Sequence, residues 1–271
     1  MFEEYFQDKL IEFSEHHVAN FVVQHLISNC KDEDLFNKIL EELSSSFEYL
    51  LFQNRAGVIA KLVQVCLLFN KSQKKVMESL KAAFRIDSPE KRKKFLKMIL
   101  YMRPSEQVEG QVDYLRVQVQ GALMLQYLFS YEEAENQILC EGIHSLDTET
   151  LMKWIHDPSC SRVIEAYFDS VTVSSKSKKK MLHTLQGKYS DMAKDKYASH
   201  LIDKCWKASD IQLKEKIAEE LVQQERELMD NFYGKFILRN CKIELFKRRK
   251  QEWMQLEKGI DKKKEMLKEL F

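Results

Sequence analysis

A ten-residue pattern that recurs after 36 residues constrains the fold of this chain more than any other feature. Residues 196–205 read KYASHLIDKC and residues 232–241 read FYGKFILRNC. Both stretches place a tyrosine, a small residue, an apolar pair and a cysteine at the same spacing. A repeated helix explains this match, and a period in the thirties is typical of a helical solenoid.

Weaker copies of the pattern occur in four earlier windows. The reference residue of each window is the one that follows its small residue. The reference residues are Asn20, Gly57, Ala122, Ser161, Ser199 and Lys235, with gaps of 37, 65, 39, 38 and 36 residues. We therefore expect a single array of about six repeats over residues 1–271, with an insertion within residues 72–110 that accounts for the long gap.

The composition favours an all-α fold. Seven glycines and three prolines leave little turn chemistry for a protein of many strands. The six cysteines are never closer than 20 residues, so we expect reduced core thiols and no metal site. We find no signal peptide and no apolar run near about 18 residues, which predicts an intracellular protein without a membrane partner.

Charge and histidine content carry less information. The formal net charge of +1 predicts no strong basic field. Basic runs of this length are typical of solvated helix ends, and nuclear import or phosphate contact is the alternative. The runs lie at residues 92–94, 176–180, 247–250 and 262–264. Because the seven histidines match no catalytic spacing and no Gly-rich phosphate loop is present, we expect no enzyme activity and no cofactor.

The apolar spacing predicts the order of the helices. Residues 2–13 form one amphipathic helix, Ser14 caps a second that ends near Ser28, and His16 marks its start. Ser88 caps a later helix with a proline at its first position. The remaining expected elements are the first helix of the fourth repeat at 150–156, a linker-like tract at 174–180, a long charged helix at 210–229 and a C-terminal capping helix at 247–271.

The N-terminal end of the array lacks a polar capping repeat. Solenoids normally close with such a repeat, because an open end exposes apolar surface. We therefore expect the chain to be a fragment of a longer array.

The windows resemble the Pumilio repeat family over most of the chain. In that family, each repeat is about 36 residues of paired helices, and one helix per repeat lines a concave face. The reference residue and the residue four after it contact a base edge, because both lie on one helical face. The residue directly after the reference stacks on bases. We call the reference residue the first position of a triplet. The residue directly after it is the second position, and the residue four after the reference is the third.

Two triplets resemble complete base readers of the family. Asn20, Phe21 and Gln24 are similar to its uracil-reading triplet. The triplet of Ser161, Arg162 and Glu165 is similar to its guanine-reading one.

The other triplets depart from the family pattern. Ser199, His200 and Asp203 have an Asp, one methylene shorter than the expected Glu. Lys235, Phe236 and Arg239 keep the stacking residue and replace both readers with cations, which suit phosphate. Gly57, Val58 and Lys61 retain one cation, and Ala122, Leu123 and Gln126 lack a flat stacking residue.

The resemblance implies a curved α-solenoid that binds RNA and has no catalytic activity. The uneven gaps and degenerate triplets resemble the nucleolar Pumilio-like branch. The resemblance to that branch implies pre-ribosomal RNA, single-stranded or partly structured, as the partner in small ribosomal subunit biogenesis. The branch also implies a monomer in the nucleus and nucleolus, with pre-ribosomal particle proteins as further partners.

A protein-binding scaffold of the HEAT or armadillo kind is the competing interpretation. In that case the aromatic residues belong to the core, and the polar pairs are ordinary exposed neighbours on a helix. The RNA interpretation predicts that Asn20, Ser161, Ser199 and Lys235 share one open surface. The scaffold interpretation predicts no such surface.

Overall fold

All regular structure in the described part of the chain is helical, as the composition predicts. The structure, a computed structural model, describes residues 2–108 and 116–269, without the side chains of residues 263–265 and 267–269. The expected insertion at 72–110 and capping helix at 247–271 therefore extend by a few residues outside the described residues. Within the described ranges, no helix has the length and apolar character needed to cross a membrane.

The chain divides into two compact units. Unit 1 comprises Met1–Thr150 and Ser170–Ser174. Within unit 1, α3 packs on α6, and α6 packs on α9, so three of the predicted windows lie on neighbouring helices. The helices of unit 1 are α1 (Phe2–Tyr5), α2 (Leu10–Glu15), α3 (Ala19–Ser28), α4 (Glu33–Ser44), α5 (Phe47–Phe52), α6 (Ala56–Phe69), α7 (Gln73–Ala83), α8 (Pro89–Tyr101), η1 (Ser105–Gln107), α9 (Val119–Leu128) and α10 (Glu133–His144).

Unit 2 comprises Leu151–Asp169 and Ser175–Phe271. Its motif helices follow the same scheme, since α12 packs on α15, and α15 packs on α18. Its helices are α11 (Thr148–His156, which begins in unit 1), α12 (Cys160–Asp169), α13 (Ser175–Thr184), α14 (Tyr189–Ala193), α15 (Ala198–Ala208), α16 (Ile211–Gln223), α17 (Glu225–Asp230), α18 (Phe232–Asn240), α19 (Ile243–Arg248) and α20 (Lys250–Glu269).

Three repeats contain a short helix between the long helix and the motif helix. The successions α4–α5–α6, α13–α14–α15 and α16–α17–α18 share this plan. The predicted single helix at 210–229 is therefore wrong. It breaks at Gln224, and α17 turns back to pack against α18. The tract at 174–180 is not a linker either, because most of it belongs to α13.

The long gap before the third window contains a full-length extra helix. Residues 72–108 form α7, α8 and η1, and α8 packs on both α9 and α10. As predicted, Ser88 caps α8 by accepting a hydrogen bond from the Lys91 amide at 3.3 Å, with Pro89 at the first helical position.

The first helices differ from the prediction. The expected helix at 2–13 breaks around Asp8, whose φ is 62°, and Glu42 accepts hydrogen bonds from the amides of Asp8 and Leu10. Ser14 does not cap α3, because it is buried within α2. The imidazole Nδ1 of His16 does so instead, accepting from the amides of Val18 and Ala19, so the predicted helix start is confirmed.

A buried charge network fixes α20 to unit 2. The Lys214 ammonium lies 3.1 Å from Glu257 and 2.7 Å from Asp261. Glu257 also accepts hydrogen bonds from Lys242 at 2.5 Å and from the Trp206 indole at 3.2 Å. Because Lys214 and Glu257 are both buried, each depends on the other for compensation of its charge.

Candidate nucleic-acid interface

The motif helices begin with a recurring side-chain acceptor four residues before the first position of the triplet. Asp157 and Asp195 each accept two backbone hydrogen bonds at 2.8 Å, and Asn231 accepts two at 2.9 Å. His16 has the same role before α3. These acceptors satisfy amides at the helix start and fix where the helix begins. The sequence prediction missed the Asp and Asn residues, although their constant offset is visible in the sequence.

The first positions of the triplets are mostly buried, contrary to the expectation of a shared open surface. Asn20, Ser161 and Ser199 are buried, while Lys235 is exposed. Asn20 donates from Nδ2 to the carbonyls of His16 and His17 at 2.9 and 2.8 Å, so its amide is engaged in closing the helix start. The expectation is wrong for these three residues, so the first positions do not form the open surface that the RNA interpretation predicts. Like Asn20, Ser199 donates to a carbonyl of its own N-terminal turn, that of Lys196, at 3.3 Å.

The second positions are the exposed ones. Phe21 is 65% exposed and Phe236 is 42% exposed, and Arg162 and His200 also face solvent. These four side chains have flat groups that suit base stacking. Val58 is fully buried, because the apolar helix α6 lies between α3 and α9 within unit 1.

The third positions are half-buried or exposed, and several have a defined partner. The Gln24 amide donates to Asn20 Oδ1 at 2.9 Å. Asp203 accepts a hydrogen bond from the Asn240 amide of the next motif helix at 3.2 Å. The other two with a described hydrogen bond are Gln126, which donates to the Ala122 carbonyl at 3.1 Å, and Lys61, which donates to Gln64 at 3.1 Å.

The Glu165 carboxylate lies in a partly desolvated and cationic environment. Burial raises its pKa, and the positive charges of Lys204 and His200 oppose this effect. Lys204 in turn forms an ion pair with Asp169 at 2.5 Å. Such a carboxylate can accept hydrogen bonds from the donor edge of a base such as guanine.

The last motif helix presents aromatic rings and cations together. The Arg239 guanidinium lies 5.1 Å from the ring centroid of Phe236, a cation–π contact. Lys235 precedes Phe236 and is exposed. Cations beside an exposed ring can hold a phosphate while the ring binds a base.

Many of the basic clusters are neutralised by neighbouring carboxylates. Lys179 pairs with Asp210 at 2.9 Å, Lys247 pairs with Glu225, and Arg92 lies 3.5 Å from Glu141. These pairs agree with the interpretation of the runs as solvated helix ends. Of the run at 262–264, only the side chain of Lys262 is described.

The architecture and the triplets define a helical-repeat protein of the Pumilio class. Residues 1–236 match the sequence profile described as the NOP9-like PUF repeat domain. The chain belongs to this family. The predicted all-α solenoid of Pumilio-like repeats and the resemblance to the nucleolar branch are thereby confirmed. Within that branch the sequence windows predict nucleolar protein 9 as the best match and Pumilio homologue A as the runner-up, and the matching profile bears the name of the first.

Several curated relatives are similar to this chain. Nucleolar protein 9 of Mus musculus is 26% identical and that of Homo sapiens is 27% identical, each over all of this chain and 45% of the relative. Pumilio homolog 23 of Arabidopsis thaliana is 29% identical over 93% of this chain and 34% of the relative. The chain thus spans less than half the length of these relatives.

Solved structures of the same architecture are also similar. The structure of APUM23–GGAAUUGACGG has a TM-score of 0.87 and 28% identity, covering 96% of this chain and 49% of that chain. A Puf3 RNA-binding domain bound to a Cox17 RNA site has a TM-score of 0.61 and 16% identity, covering 95% of this chain and 63% of that one. The second likeness concerns the fold alone.

Proposed function

We propose that this chain is a non-catalytic RNA-binding repeat protein whose motif helices bind bases by stacking. The observation that carries the proposal is the exposure of a flat side chain at the second position of four triplets: Phe21, Arg162, His200 and Phe236. A polar or charged third position follows each of them. The structure of APUM23–GGAAUUGACGG, 28% identical to this chain, supports the same assignment.

Each triplet position has a separate role in this proposal. The exposed second positions stack on bases, and the third positions Gln24, Glu165 and Asp203 contact base edges. Lys61, Lys235 and Arg239 hold phosphates, which makes binding salt-dependent. The buried first positions Asn20, Ser161 and Ser199 act by setting the shape of the helix start and the room left for the base.

The RNA is proposed to be pre-ribosomal RNA, bound in the nucleolus during small ribosomal subunit biogenesis. The names of the nucleolar protein 9 relatives support this finer assignment. The protein would occupy an rRNA segment and withhold it from processing until assembly has advanced, as a monomer within a particle that contains further proteins.

Binding of labelled single-stranded RNA, measured against salt concentration, tests the proposal. We expect Phe21→Ala and Phe236→Ala each to weaken binding by about 5- to 150-fold, because a base stack contributes about 1–3 kcal/mol. Phe52→Ala is the control, since Phe52 is about as exposed as Phe21 but lies on α5, outside the triplets. Wild-type affinity in both triplet variants would contradict the stacking assignment.

One observation favours a protein-binding scaffold at the first repeat. Val18 and Val22 are exposed on either side of Phe21, so this end of α3 is more apolar than a base platform requires. If Phe21→Ala leaves RNA binding intact while Phe236→Ala weakens it, the first motif helix is a protein contact and the later ones bind RNA.

A further inference from the structure

We propose that Phe232, one helical turn before Phe236 on α18, is a second base-stacking residue of the last repeat. The inference rests on the proposed RNA-binding function and adds a ligand-facing position outside the triplets. Phe232 is 68% exposed, compared with 42% for Phe236 in the triplet of the same repeat.

In every window, the residue that corresponds to Phe232 is exposed to solvent. The residue three before the first position lies one turn before the second position, so both face the same side of the motif helix. All residues at this offset are exposed: His17, Asn54, Val119, Pro158, Lys196 and Phe232. Phe232 is the large aromatic member of this set, and it is paired with an aromatic second position.

The two rings of α18 form a corner. The centroids of Phe232 and Phe236 lie 5.4 Å apart with an interplanar angle of 73°. Phe232 also meets Tyr233 edge-on, at 5.2 Å and 89°. Because Asn231 holds the start of α18 through two hydrogen bonds, the ring is attached to a fixed point of the backbone. A base that stacks on one ring of the corner lies edge-on against the other.

The charges beside the corner point to a nucleotide rather than to an apolar protein segment. Lys235 and Arg239 are both exposed on the same helix, and Arg239 lies against the Phe236 ring. A nucleotide strand places a phosphate within one linkage of each base, so adjacent rings and cations satisfy both parts of the ligand. An apolar partner would bury these two cations without compensation.

The test compares matched exposed phenylalanines in the full 271-residue chain. The probes are labelled GGAAUUGACGG RNA and a pool of randomised single-stranded RNA. We expect Phe232→Ala to weaken binding about 5- to 150-fold and Phe232→Trp to retain it, with tryptophan fluorescence quenched when RNA is added. Phe52→Ala and Phe52→Trp are the controls, because Phe52 is 69% exposed and lies outside the motif helices.

Salt dependence separates stacking from charge. Phe232→Ala should leave the slope of log affinity against log salt unchanged, whereas Lys235→Ala should reduce it by about 0.7. If the wild type binds RNA and Phe232→Ala binds equally well, the inference is overturned and the proposed function stands. If the wild type binds neither probe, both are overturned, and a protein partner becomes the explanation for the corner.

Discussion

The two units stabilise similar motif helices with different side chains. In unit 2, Asp157, Asp195 and Asn231 hold the start of each motif helix through backbone hydrogen bonds. In unit 1, His16 does this for α3, while α6 and α9 have glutamines at the same offset, Gln53 and Gln118. The start of a motif helix can therefore be held by a polar side chain, as in unit 2, or form without a side-chain cap, as at α6 and α9.

The two units also differ in the charge of their buried polar side chains. In the described part of unit 1, the buried polar side chains are neutral. An example is Asn136, which donates to the carbonyls of Phe129 and Tyr131 and to the Thr172 hydroxyl. Unit 2 buries the oppositely charged Lys214 and Glu257. Unit 2 should therefore respond more strongly to the removal of a single charge.

The largest effect is expected from Glu257→Ala. Its removal takes one partner from Lys214, and breaking a buried pair typically destabilises by about 3–5 kcal/mol. Urea unfolding with hydrogen exchange of unit 2 amides measures the loss. Glu252→Ala, an exposed residue on the same helix, should change stability by about 1 kcal/mol or less. Equal effects of the two changes would mean that the charge network does not determine the stability of unit 2.

A smaller effect is expected from Gly121→Ala, which tests packing in unit 1. A Cβ at Gly121 would lie 2.2 Å from the Ile99 carbonyl oxygen, so α8 and α9 would have to separate. Overpacking of this kind destabilises by about 1–3 kcal/mol.

Gly259→Ala is the control for the glycine change, because a Cβ at Gly259 meets nothing within 4 Å inside α20. This variant should gain about 0.5–1 kcal/mol from helix propensity. A stabilising Gly121→Ala, measured by thermal unfolding, would show that α9 does not need the close approach.

The smallest effect is expected from Asp195→Ala, which removes the acceptor at the start of α15. The loss should be about 0.5–2 kcal/mol, as for helix caps in general. Gln53→Ala removes the residue at the same offset in unit 1 and should stay within about 0.5 kcal/mol. The contrast between capped and uncapped motif helices is wrong if Gln53→Ala is the more harmful change in urea unfolding.

The repeat and the helices that carry it could be predicted from the sequence, because the apolar pair, the small residue and the cysteine recur at fixed spacing. Ser88, with the proline after it, marked the start of α8 correctly for the same local reason. The break at Gln224 could not be predicted, since the charged run from 210 to 229 has good helix formers throughout. Tertiary contacts favour the break, since α17 packs against α18 and Lys194 donates to the Gln224 side chain at 3.1 Å.

The candidate site was predictable in part. The exposure of Phe21 and Phe236 agrees with their predicted second positions. The burial of Asn20 could not be predicted from the sequence, because it depends on the position of the His16 and His17 carbonyls, to which its amide donates. A polar residue type indicates that hydrogen bonds will be made, but it does not indicate whether a ligand or the chain itself makes them.

The contact between Gln24 and Gly57 concerns adjacent repeats. A Cβ at Gly57 would lie 2.9 Å from the Gln24 side-chain nitrogen, so the glycine of one repeat leaves room for the amide of the repeat before it. Any base preference at Gln24 therefore depends on two repeats. Grafting the triplet of Asn20, Phe21 and Gln24 into another array would transfer only part of that preference. An engineered change of specificity would have to exchange the facing glycine of the next repeat as well.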